Sequence, residues 1–287
     1  MDSQDNRLML STAVLRTLAY SNNFDYPLRL SEIRKYLISN GGKKVKIAKK
    51  SLLEVFTDFE QISTDGEYFF LKGREAIVEL RKKREKVSRK KLLLAQKTAK
   101  KLNRFPFVKF IGLTGALSVG NADEDDDIDL MIITVKDRLW LTRMLIWLIC
   151  PICQIRRRKI NDVNVKDKIC FNLFLDEAGL EIEEKNLFTA HEICQVKSLY
   201  NKDQTYEKFL AANSWVKEYL PNALSIIGYR LSATRSCLFL SLLNLFAFGL
   251  QYLYMKPKIT NEKVTLHQAF FHPNNLSPKI LRSGMFT

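Results

Sequence analysis

The chain has 287 residues, 46% hydrophobic and 27% charged, a balance that excludes collagen-like and disordered compositions and leaves material for two or three compact units. Its 46 Lys and Arg against 31 Asp and Glu give a formal net charge of +15, which predicts attraction to polyanions such as nucleic acid, nucleotides or acidic lipid without choosing among them. Five cysteines, an odd number, and an N-terminus MDSQDNRLML lacking a basic stretch that leads into an apolar run predict free thiols and a cytoplasmic protein.

Residues 8–20 (LMLSTAVLRTLAY) carry apolar side chains at helical spacing, the DYPL turn at 25–28 ends that helix, and Ser31 opens a second, SEIRKYLI. Ser51 and Glu54 have capping-box spacing ahead of VFTDF and predict a third helix. In QISTDGEYFFLKG two short apolar runs flank Asp65-Gly66, a dipeptide suited to a tight hairpin. Three helices and a hairpin within 1–74 look like a winged-helix domain. Lys43, Lys44, Lys46, Lys49 and Lys50 lie before or at the start of its third helix, where they suit either phosphate contacts or a solvated basic face.

Residues 75–104 form a natural linker: from Glu75 to Leu102 no Gly or Pro interrupts a run of helix formers. Its cations recur too closely to share one face, so a mostly solvated basic helix is the first reading and a nucleic-acid groove the second.

FVKFIGLTG then predicts a buried strand ending in glycine, and NADEDDDIDLMIIT places six carboxylates in the seven positions 123–129. In a strand, side chains two apart share a face, so Asp127 and Asp129 project together while Ile128, Leu130 and Ile132 turn to a core. Paired carboxylates on a rigid element can hold the divalent metals that clamp the oxygens of a phosphoryl transfer. An EF-hand is excluded by counting: from Asp123, position six is Ile128 instead of Gly and position twelve is Thr134 instead of Glu. An acidic solvent loop accounts for Asp123, Glu124 and Asp125 but not for two acids entering an apolar strand.

The stretch TGALSVGNADEDDDIDLMIIT resembles the nucleotidyltransferase superfamily, the polymerase-beta-like fold, whose signature is a strand, a Gly-Ser turn opening a short helix, a spacer, and Asp-hydrophobic-Asp on the next strand. Gly115 matches the family glycine, Gly120 a frequent second glycine, and Asp127-Ile128-Asp129 the metal-binding pair. The resemblance implies a mixed-sheet α+β core over 105–185, Mg2+ or Mn2+ on Asp127 and Asp129, and an NTP whose phosphates rest on the Gly115 turn and the positive end of the helix after it. Ala116 stands where the family has Ser, removing one hydroxyl contact for which Ser118 is a substitute by another geometry. The third carboxylate of active members is sought in KICFNLFLDE, whose alternation groups Lys168, Cys170, Asn172 and Phe174 against Ile169, Phe171, Leu173 and Leu175. Asn172 cannot serve as a base, which leaves Asp176 as the candidate.

WLTRMLIWLICPIC predicts a buried helix, with Cys150 and Cys153 as packing residues in preference to a zinc pair, and Arg156 to Lys159 ending that helix in preference to reaching substrate. Residues 186–287 predict a helical region, in which His191-Glu192 is not part of HExxH and His191 reads as packing. The nineteen uncharged residues Cys237 to Met255 are long enough for a membrane span; interrupted by Ser241, Asn244, Gly249 and Gln251, they read first as a buried or interface helix and second as membrane-associated. The expected function is metal-dependent transfer of a nucleoside monophosphate from an NTP to an unidentified acceptor. Its alternative is a weakened transferase fold acting as nucleotide sensor in a winged-helix nucleic-acid-binding regulator.

Overall fold

The computed structural model describes residues 3–39, 60–159, 162–224, 237–260, 262–271 and 277–281. It is an α+β protein with a mixed six-stranded sheet and a separate three-stranded antiparallel sheet.

Helix α1 (Ser3–Asn22) presents Val14 and Leu18 to Ile33 and Leu37 beyond the turn, where Asp25 adopts φ 50°. Strand β1 (Leu28–Arg29) leads directly into α2 (Leu30–Lys35), whose first turn is tied by Glu32 accepting from the Arg29 N–H at 2.7 Å. Strands β2 (Ile62–Thr64) and β3 (Tyr68–Leu71) form the expected hairpin, in which Gly66 alone takes the left-handed conformation, at φ 97°. Strand β1 joins the far edge of β3. The expected third helix at Ser51 and Glu54, and the lysines at 43–50, lie outside the described residues.

Helix α3 (Ala76–Leu102) is not the mostly solvated rod its composition suggests. Ile77 and Val78 pack on Tyr68 and Phe70, and Ala95, Ala99 and Leu102 enter the core of the large sheet. Its guanidinium at Arg81 is 1% exposed, bonded to Glu32, Glu85 and the Pro27 carbonyl and lying 4.0 Å over the Tyr26 ring. A charge taken out of water this far is tolerable only because two carboxylates and an aromatic face answer it. Lys91, 3% exposed, donates to the Asp126 carbonyl and to Asp167 at 2.7 and 2.8 Å. Long-range partners, invisible in a charge run, therefore fasten this helix to both neighbours.

The large sheet has the order β7-β4-β5-β6-β9-β8. Strands β4 (Val108–Leu113) and β5 (Ile128–Thr134) are antiparallel; β5 and β6 (Ile169–Asp176) are parallel, as their connection through α5 (Leu139–Ile152) requires. Ile128, Leu130 and Ile132 fill the core on the α5 side. Met131 and Ile133 fill a second core on the opposite face, beneath α6 (Leu187–Gln195). The strand alternation expected for β6 breaks once: Leu130 pairs with Phe171 but Met131 with Leu173, so Asn172 is an extra residue and Phe174 packs with Ile169 and Phe171 instead of following Cys170.

The region 186–287 is not purely helical. It supplies β7 (Lys197–Asn201), whose exposed and half-buried residues do not alternate, and β8 (Lys263–Val264) and β9 (Gln268–Phe270), both too short to show a two-residue period. After α7 (Thr205–Ala212), α8 (Leu238–Met255) corrects the buried half of the expectation of a buried or interface helix. Only Asn244, Ala247, Gln251 and Met255 are buried, while Leu238, Phe239, Phe246 and Leu253 are 65–75% exposed. By length and composition it is the one helix among the described residues that could cross a membrane.

Candidate active site

Strand β4 ends at Leu113, and the chain turns through Gly115 at φ 62°. The Thr114 N–H donates to the Asp129 carbonyl at 3.1 Å, which locks the turn beside β5. A Cβ on Gly115 would lie 2.7 Å from Asp129 Oδ2, so both the backbone angle and the approach of a carboxylate require glycine. The helix that follows, α4 (Gly115–Ser118), is a single turn. Its donors toward an anion are therefore local N–H groups, since no long macrodipole stands behind them. Ala116 is exposed, and Ser118 does not reach outward: its hydroxyl donates to the Gly115 carbonyl at 2.8 Å.

Most of the acidic run is answered by nearby donors. Asp123 accepts from Arg84 at 2.6 Å, Glu124 from Lys166 at 2.7 Å, and the Asp126 carboxylate from the Asp123 N–H at 2.8 Å. Asp127 and Asp129 stand apart, at the start of β5 against the Gly115 turn. One ligand atom each from Asp127, Asp129 and Cys170 falls within a 4.8 Å cluster. Burial, then the neighbouring Asp127 charge, pushes the Asp129 carboxyl up to about 7. Cys170, paired with Asp129 across β5 and β6, is driven far up, by burial first and the two acids next, and stays a protonated thiol. Arg158 donates to Asp127 Oδ2 at 2.7 Å.

Asp176 is not part of this cluster, which corrects the expectation that it completes the triad. It pairs with Thr134 at the other end of β5, six residues beyond Cys170, or roughly 20 Å at about 3.3 Å per residue. There it is fully buried and accepts from the Asp137 and Ala178 N–H groups and from His267 Nδ1, each at 2.9 Å. The third acid whose charge reaches Asp129 is Glu192 on α6, partly buried and pushed up to about 7 by burial. His191 beside it is a packing residue as expected: it stacks on Tyr20 at 4.0 Å, and burial pushes it down to about 3, so it is neutral.

Arg158 also departs from expectation. Helix α5 ends at Ile152, and residues 156–158 run extended along β6, with the Arg158 N–H donating to the Ile169 carbonyl at 2.9 Å. Nothing local in QIRRRK marks that. For Glu192 a weak signal existed, a carboxylate in a short helix whose Leu187, Ala190, Ile193 and Cys194 are all core residues.

The N-terminal unit reaches this site. Tyr26 Oη donates to the Val119 carbonyl at 2.8 Å, and Asn121 Nδ2 to the Phe24 carbonyl at 3.0 Å. The segment joining the Gly115 turn to the acids is thus held from the outside.

Hard carboxylate oxygens from Asp127 and Asp129, the latter with a proton affinity raised by burial and by the Asp127 charge, fit a divalent cation such as Mg2+ or Mn2+. The Cys170 thiol does not suit that ion and serves instead as a hydrogen-bond donor to Asp129. No family model matches this chain, and no curated protein or solved structure does either.

Proposed function

We propose that the protein is a metal-dependent nucleotidyltransferase that moves a nucleoside monophosphate from an NTP to an acceptor hydroxyl. The observation that carries the reading is the contact of Asp129 with the Gly115 turn, 2.7 Å from a hypothetical Cβ. An acid pair and a backbone turn this close can address the two ends of one triphosphate. The order of α1, α2 and the β2–β3 hairpin supports a winged-helix N-terminal unit, and the Gly115 turn followed by Asp127-Ile128-Asp129 supports a polymerase-beta-like core.

Asp127 and Asp129 would hold Mg2+ or Mn2+, which when bound neutralises phosphate charge and favours in-line displacement at the α-phosphorus. The turn at Gly115 and Ala116 offers backbone N–H groups to the phosphates. The acceptor oxygen bonds to the α-phosphorus, the bond to pyrophosphate breaks, and the hydroxyl proton would pass to a nearby carboxylate, for which Glu192 is the candidate because its charge acts on Asp129. A carboxylate poised near 7 is matched to that task at neutral pH. Arg158, freed from Asp127, would offer its guanidinium to the departing pyrophosphate.

Labelled NTPs incubated with Mg2+ or Mn2+ and a panel of hydroxyl acceptors test this reading. Transfer must occur with the native chain and vanish in Asp127→Asn and in Asp129→Asn; label that moves equally well in those variants rules the site out.

A second reading, a nucleotide sensor within a nucleic-acid-binding regulator, draws on two observations: Arg158 closes over Asp127, and neither Ala116 nor Ser118 offers a free hydroxyl to phosphate. It predicts NTP binding without transfer, and duplex binding that weakens with salt and survives in Asp129→Asn.

A further inference from the structure

We infer that α8 and the end of α5 form a membrane-surface face that lies on anionic lipid without crossing the bilayer. The inference is independent of the transferase reading.

Helix α8 is inverted in polarity. Its inward stripe holds polar groups, each engaged by α5. Asn244 Oδ1 accepts from the Trp140 and Leu141 N–H groups at 2.9 and 3.0 Å, Gln251 Nε2 donates to the Trp140 carbonyl at 2.9 Å, and Gln251 Oε1 accepts from the Arg143 guanidinium. Its outward face is aliphatic and aromatic along the whole length, with Phe239, Leu242, Phe246, Leu250 and Leu253 all more than half exposed. Leu148 and Ile152 of α5 continue that surface at 62% and 79% exposure. A water-facing helix has the opposite arrangement, so this face is built for an apolar phase.

The rim identifies that phase. Neither Leu139 to Lys159 nor Cys237 to Lys258 contains a single Asp or Glu. The two helices run side by side in the same direction, so cations collect at one end: Lys256 and Lys258 follow α8, while Arg156 and Arg157 follow α5. Aromatic side chains stand among them, with the Arg157 guanidinium 4.1 Å from the Trp147 ring and Lys258 Nζ 3.8 Å over the Tyr254 ring. An apolar strip ending in a belt of cations and aromatics complements acyl chains beneath anionic headgroups. A second copy of the chain fits less well, because two such faces bring cation to cation, or cation to hydrocarbon, with no carboxylate on either.

Spanning is disfavoured by the same contacts. An 18-residue helix is about 27 Å long and could reach across hydrocarbon, but leaving the protein would strand Asn244 and Gln251 in lipid and uncover Trp140 and Arg143. The helix therefore lies with one side on the protein and the other in the interface.

Flotation of the full chain with vesicles tests this. The native protein should float with phosphatidylcholine–phosphatidylglycerol vesicles, far less with phosphatidylcholine alone, and be released by alkaline carbonate. Replacing the outward residues together (Leu242→Gln, Phe246→Gln, Leu250→Gln) should cut partitioning on the order of a hundredfold. Lys256→Glu with Lys258→Glu should remove the preference for anionic vesicles while the circular dichroism spectrum is unchanged. Failure of the native chain to float, or flotation unaffected by the outward replacements, overturns the inference. So does retention after carbonate, which means spanning, and so does a concentration-dependent dimer that the outward replacements dissociate in place of lipid binding.

Discussion

The parallel pair β5–β6 gathers two carboxylates and a third polar group at each of its ends, and the two ends differ in how the charge is answered. At one, Asp176 receives two backbone N–H groups and His267, with Asp137 close by. At the other, Asp129 has a thiol donor and faces Asp127 and Glu192, two further acids. Both constellations satisfy a ligand-spacing criterion equally. Hydrogen-bond satisfaction separates them: a carboxylate with three good donors is holding a loop and a strand end together, whereas Asp129 has only the thiol as a donor, Arg158 being bonded to Asp127. Proximity of acids is a poor guide to chemistry until their donors are counted.

The sharpest way to break this contrast is to neutralise one acid at each end. Asp129→Asn should lower transfer on the order of 10³-fold, and Asp176→Asn should leave kcat within a fewfold, both assayed on folded protein by single-turnover label transfer. Equal losses at both ends would erase the distinction.

The pH dependence of stability sharpens it next. Asp129 and Glu192 have folded-state pKa values raised to about 7, above their unfolded values, so the folded state keeps its protons longer than the unfolded chain. Their stabilising effect is complete below about pH 4 and is lost as pH climbs to about 7, on the order of 2–4 kcal/mol for each acid before coupling. Urea denaturation in EDTA should show that decline, and Asp129→Asn with Glu192→Gln should make it shallower, leaving the part that comes from Asp176, which burial also raises despite its donors. Added Mg2+ should raise Tm more at pH 8 than at pH 5.5, since the ion competes with protons for these oxygens. A pH-independent native chain refutes the crowding of acids.

Truncating the satisfied end should cost stability in its own right. Asp176→Ala leaves the Asp137 and Ala178 N–H groups without their acceptor, a loss of about 2–3 kcal/mol by denaturant unfolding. Gly115→Ala should cost about 1–2 kcal/mol from its positive φ and push the Asp129 carboxylate aside, weakening Mn2+ binding in calorimetric titration. The smallest effect belongs to Arg158→Ala. Its half-exposed ion pair contributes roughly 0.2–1 kcal/mol, and removing a cation that competes for Asp127 should tighten Mn2+ binding severalfold even as pyrophosphate release slows.

How much of this was legible in the sequence depended on range. The hairpin at Asp65-Gly66, the long helix and the alternation of IDLMII are local patterns, and each element formed where its pattern lay. The turn glycine and the acid pair were legible for the same reason, since spacing along two adjacent strands determined their meeting. Glu192 and Arg158 arrive from elements 31 to 63 residues away from Asp127 and Asp129, counted from 127 to 158 and from 129 to 192, and no short pattern encodes that. Asp176 misleads because the bulge at Asn172 breaks the alternation without a local signal and because six residues of β6 separate it from Cys170. In helix α8 the uncharged composition suggests a buried or interface helix without choosing, while Asn244, Ala247 and Gln251, spaced three and four apart, mark the side that faces inward.

The two hydrogen bonds by which Tyr26 and Asn121 bridge the first unit to the loop ahead of the acids mean that this unit is no detachable handle. Whatever twists the turn at Phe24 and Tyr26 pulls on the lever that sets the spacing between glycine and carboxylate, so grafting the half that carries the acid pair onto a foreign partner would deliver it with its jaw ajar.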